Sequence, residues 1–208
     1  MHVLAINGSP KENGNTYAAL KTAADELQNQ GISTEIVHIG NKNIRGCIAC
    51  GGCFRNKNEK CVFEDVVNPT IQKMKEADAI IVGTPVYYAS ISGTLKCFLD
   101  RAFYVGGSNG GLFRHKAAAA VAVARRSGEI ATFDHINHYF TISEMFVAPS
   151  NYWNAAFGRA PGDVLQDSEG MQIMRVMARN LAFLVKTLSA NAAKLPAKEE
   201  KIMTNFIR

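Results

Sequence analysis

Short apolar runs alternate with segments of helical periodicity five times along this chain, and that alternation constrains the fold more than any other feature. Residues 2–7, 32–39, 79–83, Ala117–Ala124 and 145–148 read as strands. Between and after them, residues 16–30, 66–77, 93–105, 128–143 and 167–190 read as helices. The first helix places Ala19, Leu20, Ala23, Ala24 and Leu27 on one face, and Gly31 stops it. The last carries Met174, Met177, Leu181, Leu184 and Leu188 at helical spacing, a stripe that reads as core packing.

Strand–helix repetition means an α/β protein with a parallel sheet. Residues 32–39 alternate apolar and polar residues, and the other runs are largely apolar at successive positions, as strands covered on both faces require. Right-handed crossovers and five strands give a doubly wound, flavodoxin-like sheet of order 2-1-3-4-5 with helices on both faces. Ligands of such sheets bind beyond the carboxyl ends of the strands. Here those ends lead into loops starting near Gly8, Thr84, Arg125 and Pro149. No repeat or linker divides the 208 residues. The expectation is one domain over 1–208, with a cysteine-rich loop at 46–61 and a C-terminal tail from about 190.

Composition narrows the partners. The longest purely apolar run, Ala117–Ala124, is eight residues, far short of the roughly 20 that span a bilayer. The N-terminus shows no basic lead or long apolar stretch before its first strand, so a cytoplasmic protein is expected. Net charge is +5, and the excess lies in residues 101–208, with no acid between Arg101 and Gly128. The basic residues are too sparse and too free of interleaved aromatics for a nucleic-acid binder. They suit an anionic small molecule or a solvated surface.

The first strand-to-helix loop, Asn7-Gly8-Ser9-Pro10-Lys11-Glu12-Asn13-Gly14-Asn15-Thr16, offers hydroxyl and amide donors at a helix N-terminus. That is a phosphate cradle. It lacks the third glycine of a dinucleotide fingerprint and the Lys-Ser/Thr of a triphosphate loop, so a single phosphate ester, as on FMN, fits best. The alternative is that Asn15 or Thr16 merely caps the helix. In the second loop, Pro85 stiffens the chain, small residues admit a flat ligand, and Tyr87 or Tyr88 either packs beside a flavin ring or serves the core. Tyr152 and Trp153, in the loop after the fifth strand, either cover such a pocket, or Trp153 anchors a subunit contact or plugs the core. His135 and His138 are three apart on a helix, a metal pair or, more ordinarily, one solvated and one core histidine.

Four of the five cysteines fall within 15 residues: Cys47, Cys50, Cys53 and Cys61. A reducing compartment disfavours disulfides. Three thiols at x-x spacing plus a remote fourth resemble an iron–sulfur ladder more than the two separated pairs of a zinc site. Gly46, Gly51 and Gly52 let the loop wrap a [4Fe–4S] cluster. Cys97 stands apart and reads as an inert thiol.

Gly-Ser-Pro-Lys-x-x-Gly-Asn-Thr after the first strand, followed by Pro-Val-Tyr-Tyr-x-x-x-Ser-Gly-x-Leu-Lys-x-Phe-Leu-Asp-Arg, resembles the NAD(P)H-dependent FMN reductase family of flavodoxin-like proteins. The cysteine pattern resembles its iron–sulfur flavoprotein branch. The resemblance implies that Ser9, Lys11, Asn15 and Thr16 hold the FMN phosphate and that Pro85, Val86, Tyr87 and Tyr88 line the ring. The third flavin loop would be Arg125, Arg126, Ser127 and Gly128, with one glycine where the family often has several. Its two arginines would assist dinucleotide binding or flavin electrostatics.

The expected function is an FMN-dependent oxidoreductase that takes hydride from NAD(P)H and needs no side chain as acid or base. Electrons would leave through the cluster or as a pair to a quinone, a flavin or a small electrophile. The alternatives are an electron carrier reduced by ferredoxin and a zinc- or redox-sensing binding protein. The resemblance also implies a homo-oligomer, dimer or tetramer, with no nucleic-acid or membrane partner.

Overall fold

The computed structural model describes residues 1–204 and Phe206. Its parallel sheet starts with β1 (His2–Asn7), β2 (Ser33–His38), β3 (Ala79–Pro85) and β4 (Ala117–Ala124), and ends with β5 (Phe146–Val147) and β6 (Ala155–Phe157). The helices are α1 (Asn15–Asn29), α2 (Gly52–Asn56), α3 (Val67–Glu76), α4 (Gly93–Ser108), α5 (Glu129–Ile142) and α6 (Ser168–Ala190). Strand order is β2-β1-β3-β4-β5, the expected doubly wound arrangement.

Alternation along the strands divides the core into two layers. Val3, Ala5, Ile81, Val121 and Val123 face α1 and α6, and meet Leu20, Leu27, Met174, Met177 and Leu181. Leu4, Ile6, Ile80 and Val82 face the other way, onto Ile71, Phe98, Leu99, Ile136 and Phe140. β4 is buried along its whole length, which explains its unbroken apolar run. The methionine stripe of α6 is core, as its spacing predicts.

The cysteine-rich segment 46–61, expected as a loop, holds the five-residue helix α2, and the edge of the sheet differs in two details. The fifth strand position is shared by two short segments: β5 pairs with Ala117 and Ala118, and β6 with Ala122–Ala124. The sheet therefore has six strands rather than five. The carboxyl end of its edge lies after Phe157, so the ligand-side loop starts at Gly158 rather than near Pro149. Tyr152 and Trp153 sit in the excursion between β5 and β6, half-exposed and packed edge to face on each other. No helix among the described residues is long and apolar enough to cross a membrane.

Candidate functional site

The first loop is organised by the last residue of β1. Asn7 Oδ1 accepts the Ser9 N–H at 3.0 Å, and its Nδ2 donates to the Glu12 carbonyl at 2.9 Å. Ser9 Oγ accepts the Lys11 N–H at 3.1 Å, and His38 Nε2 donates to the Ser9 carbonyl at 2.7 Å. Gly40, just past β2, lies so close that a Cβ there would fall inside the Ser9 carbonyl group. The loop is thus held from both neighbouring segments, with Ser9 and Thr16 almost fully buried. No side chain caps α1, whose N-cap is Gly14, so the capping alternative for Asn15 and Thr16 does not hold. An uncapped helix N-terminus leaves N–H groups for an anion. Asn15 braces the far wall instead: its Oδ1 accepts from the N–H groups of Gly162 and Val164, at 2.9 and 3.4 Å.

The second loop is tied to the first. Ser92 Oγ donates to the Gly8 carbonyl at 2.8 Å, and the Gly8 N–H donates to the Gly83 carbonyl at 2.8 Å. Val86 N–H bonds the Val123 carbonyl at 2.9 Å, while Tyr87 and Ser90 close a tight turn with Tyr88 at its fully exposed tip, φ +52°. Helix α5 props this turn, because Ser90 Oγ and His135 Nδ1 lie 2.6 Å apart. Burial and the nearby Lys96 charge push His135 below its ordinary pKa. One helical turn on, burial and a hydrogen bond to Asp100 push the Tyr139 phenol up to about 12. His135 stacks on the Tyr139 ring and pairs with Ser90, while His138 is exposed, so the two histidines are one packed and one solvated.

These loops enclose a cleft of about 250 Å³ at the carboxyl edge of the sheet. Ser9, Lys11, Asn15 and Thr16 line one side, and Pro85, Val86 and Tyr87 the other, with Arg125 and Arg159 at the rim. Among the described residues no carboxylate lines it. Arg126, Ser127 and Tyr88 lie outside this lining, and Gly128 serves as the left-handed N-cap of α5, at φ +92°. Gly158 and Arg159 are the residues that sequence reasoning missed. A Cβ on Gly158 would meet the Val164 nitrogen at 2.7 Å and the Asn15 amide at 2.8 Å. A larger cavity, about 660 Å³, lies at the opposite edge beneath residues 198–202 and touches none of the motif residues.

The cysteines form a second locus. Cys47, Cys50, Cys53 and Cys61 together ring one small apolar cavity, with Ile48, Val62, Tyr104 and Arg101. The loop turns there through left-handed backbone at Ala49 and Gly51, φ +53° and +68°, and the Ala49 N–H donates to Cys47 Sγ at 3.4 Å. Among the described residues no three His, Cys, Asp or Glu side chains converge on a single metal-ion position. A cubane requires less convergence, since each thiolate binds a different iron corner. Four cysteines lining one small apolar space fit that group. Cys97 is half-buried beside Gly46 and outside this ring. The cavity lies against Arg101–Val105 of α4, not at the mouth of the cleft. Those residues lie roughly 12–18 Å along the helix from its first residue, Gly93, and the two loci share no lining residue.

Residues 1–160 match the family model described as NADPH-dependent FMN reductase. An iron-sulfur flavoprotein of Methanocaldococcus jannaschii is 35% identical over 195 residues, covering 90% of this chain and 99% of that protein. An iron-sulfur flavoprotein of Methanosarcina thermophila is 29% identical over 196 residues, covering 93% and 100% respectively. Among solved structures, RosB with a bound riboflavin-phosphate intermediate superposes with a TM-score of 0.73 at 19% identity, covering 100% of this chain and 94% of RosB. The NAD(P)H:quinone oxidoreductase of Methanothermobacter marburgensis gives 0.63 at 16%, covering 87% and 96%. At such identities these two speak for the flavodoxin-like fold alone. The matched model and the relatives agree with the two motifs and the cysteine loop: this chain is an oxidoreductase of the NADPH-dependent FMN reductase family, in the branch of the iron–sulfur flavoproteins.

Proposed function

We propose that the chain binds FMN in the carboxyl-edge cleft, accepts electrons from NAD(P)H, and passes them on through a [4Fe–4S] cluster or as a pair to a quinone-type acceptor. The observation that carries this reading is the cleft itself. An uncapped helix N-terminus and two buried hydroxyl residues meet a proline-stiffened apolar wall, under two arginines and with no acid. Ser9, Thr16 and the first turn of α1 take the phosphate, Lys11 adds charge, and Pro85–Tyr87 orient the ring. FMN would supply the hydride-accepting chemistry. Among the described residues no His, Asp or Glu lines the cleft, so the protein's part is to bind, orient and supply positive potential.

Cys47, Cys50, Cys53 and Cys61 would hold the cluster. Among the described residues no three ligands converge on one ion position, which weighs against the zinc-sensing alternative. Ile48, Phe54, Val62 and Tyr104 are exposed around that cavity. This apolar rim supports the second reading, an electron carrier that meets ferredoxin, and equally a homodimer or homotetramer. Contact between copies would offer the cluster a neighbour's flavin where its own lies far along α4. The reducing cytoplasm suits five free thiols.

The test is anaerobic mixing of the FMN-loaded protein with NADPH or NADH while following flavin bleaching. Bleaching within the time of turnover supports the reductase. Bleaching only with reduced ferredoxin supports the carrier, and bleaching with neither removes both. Neutralising Arg125 or Arg159 to Gln is expected to raise KM for the dinucleotide roughly two- to fivefold each, the worth of an exposed charge pair, with kcat little changed. Arg126→Gln should do less, because Arg126 lies outside the cleft lining. An unchanged KM at low ionic strength for the first two would place the dinucleotide elsewhere.

A further inference from the structure

Arg101 is the largest of the fully buried side chains, only 1% exposed, in the middle of α4. A buried ion pair is a poor source of stability, since desolvating the guanidinium offsets the attraction of its partner. Its placement points to another use. Arg101 Nη1 and Nη2 fork onto Asp65 at 2.6 and 3.0 Å. Its Nε–H is left pointing at Cys61 Sγ, 3.3 Å away. Asp65 is itself fixed, accepting the Val67 N–H at 3.0 Å. The backbone of Cys61 is clamped by the buried Asn68, which accepts its N–H at 2.8 Å and donates to its carbonyl at 3.1 Å. The cysteine farthest from the ladder is therefore held through both its backbone and its sulfur.

We infer that Arg101 is a positioning residue that presents Cys61 as the fourth cluster ligand and sets the reduction potential of that cluster. The inference rests on the cluster reading proposed above. Four thiolates make a [4Fe–4S] centre net negative, and reduction adds one more negative charge. Hydrogen bonds to the ligating sulfurs, net charge and burial set its potential. A cationic donor on a ligand sulfur, buried where screening is weak, favours the reduced form. Asp65 orients the donor and partly cancels its charge. The two residues therefore act with opposite signs: removing the cation lowers the potential, and removing the Asp65 charge raises it. Mere loosening of the cavity would move both variants the same way.

The experiment uses the full chain, reconstituted anaerobically with iron and sulfide, and follows a mediated redox titration by EPR and visible absorbance. Arg101→Gln is expected to lower the equilibrium constant for cluster reduction about tenfold, or 59 mV for a one-electron couple. Arg101→Lys, which keeps the charge without the fork, should recover part of that. Asp65→Asn should raise the constant severalfold, and FMN content should stay at the wild-type level in all three. Should Arg101→Gln fail to fold or retain iron, Asp65→Asn decides alone. A raised potential supports the inference, and an unchanged or lowered one overturns it. A wild-type cluster with unmoved variants overturns the role of Arg101 and leaves the cluster standing. A wild-type protein that takes up no iron overturns both.

Discussion

Replacing Cys47, Cys50 or Cys53 with serine, one at a time, is expected to remove most of the iron and sulfide from anaerobically reconstituted protein while leaving FMN binding near its wild-type strength. Cluster iron demands soft, charged sulfur, and a serine hydroxyl stays protonated and hard at neutral pH. The four thiols ring one cavity, so no spare cysteine stands ready to replace a lost one. FMN should be spared because the cleft shares no lining residue with that cavity. Cys61→Ser should behave like the other three, since Asn68 and Arg101 hold its backbone and sulfur in place. Cys53→Ser should also cost some thermal stability, as Cys53 is buried in the layer beneath α4. Cys97→Ser is the control and should keep its iron. Wild-type iron in any one of the four variants would remove that cysteine from the ligand set. Loss of FMN alongside iron would mean that the loci are coupled more closely than α4 allows.

The sheet and its helices were legible because burial on both faces imposes a simple pattern. The limits of β4 follow directly from its apolar run, and helix ends agree within a few residues. Legibility failed where segments are too short to show a period. Two residues of β5 and three of β6 cannot display alternation, so the edge strand was read as one piece and the ligand loop assigned to Pro149. That single error hid Gly158 and Arg159. Asn15, which lines the cleft, also has a bracing role that spacing does not show. Its side chain is spent on backbone groups 147 and 149 positions away, a tertiary contact with no local signature. The cysteine ladder was plain from spacing, but its place was not. Spacing cannot show that the loop runs down α4, where Cys53 meets Ser108, instead of staying at the carboxyl edge. The Arg101–Asp65 fork, 36 residues apart, likewise appears only once α4 and the loop are packed.

Gly40→Ala is expected to weaken FMN binding by more than tenfold, because several hydrogen bonds to a charged phosphate, each worth about 1.5–3 kcal/mol, would be disturbed together. The reason is the fit between two backbone segments. The chain leaving β2 passes directly against the Ser9 carbonyl, and a Cβ at residue 40 would occupy that carbonyl's space. Neither segment can yield easily. Ser9 is fixed by Asn7 and His38, and the Ile39 N–H bonds the Asn7 carbonyl at 3.0 Å. The loop must move away from the N-terminus of α1, and the donors then no longer converge on one phosphate. Deleting single donors should cost less. Ser9→Ala and Thr16→Ala each remove one hydroxyl facing a charged ligand, worth about 1.5–3 kcal/mol or at least roughly tenfold in Kd. Gly107→Ala, in α4 at the far edge with open space around it, should leave FMN affinity unchanged. Fluorescence titration with FMN reads all four variants. Because flavin fluorescence reports only the ligand, circular dichroism should accompany it to show that Gly40→Ala retains its helices. Wild-type affinity in Ser9→Ala, Thr16→Ala and a folded Gly40→Ala together would put the phosphate outside this loop. An affinity lost in Gly40→Ala but untouched in the other two would leave backbone N–H groups, not hydroxyls, as its principal donors.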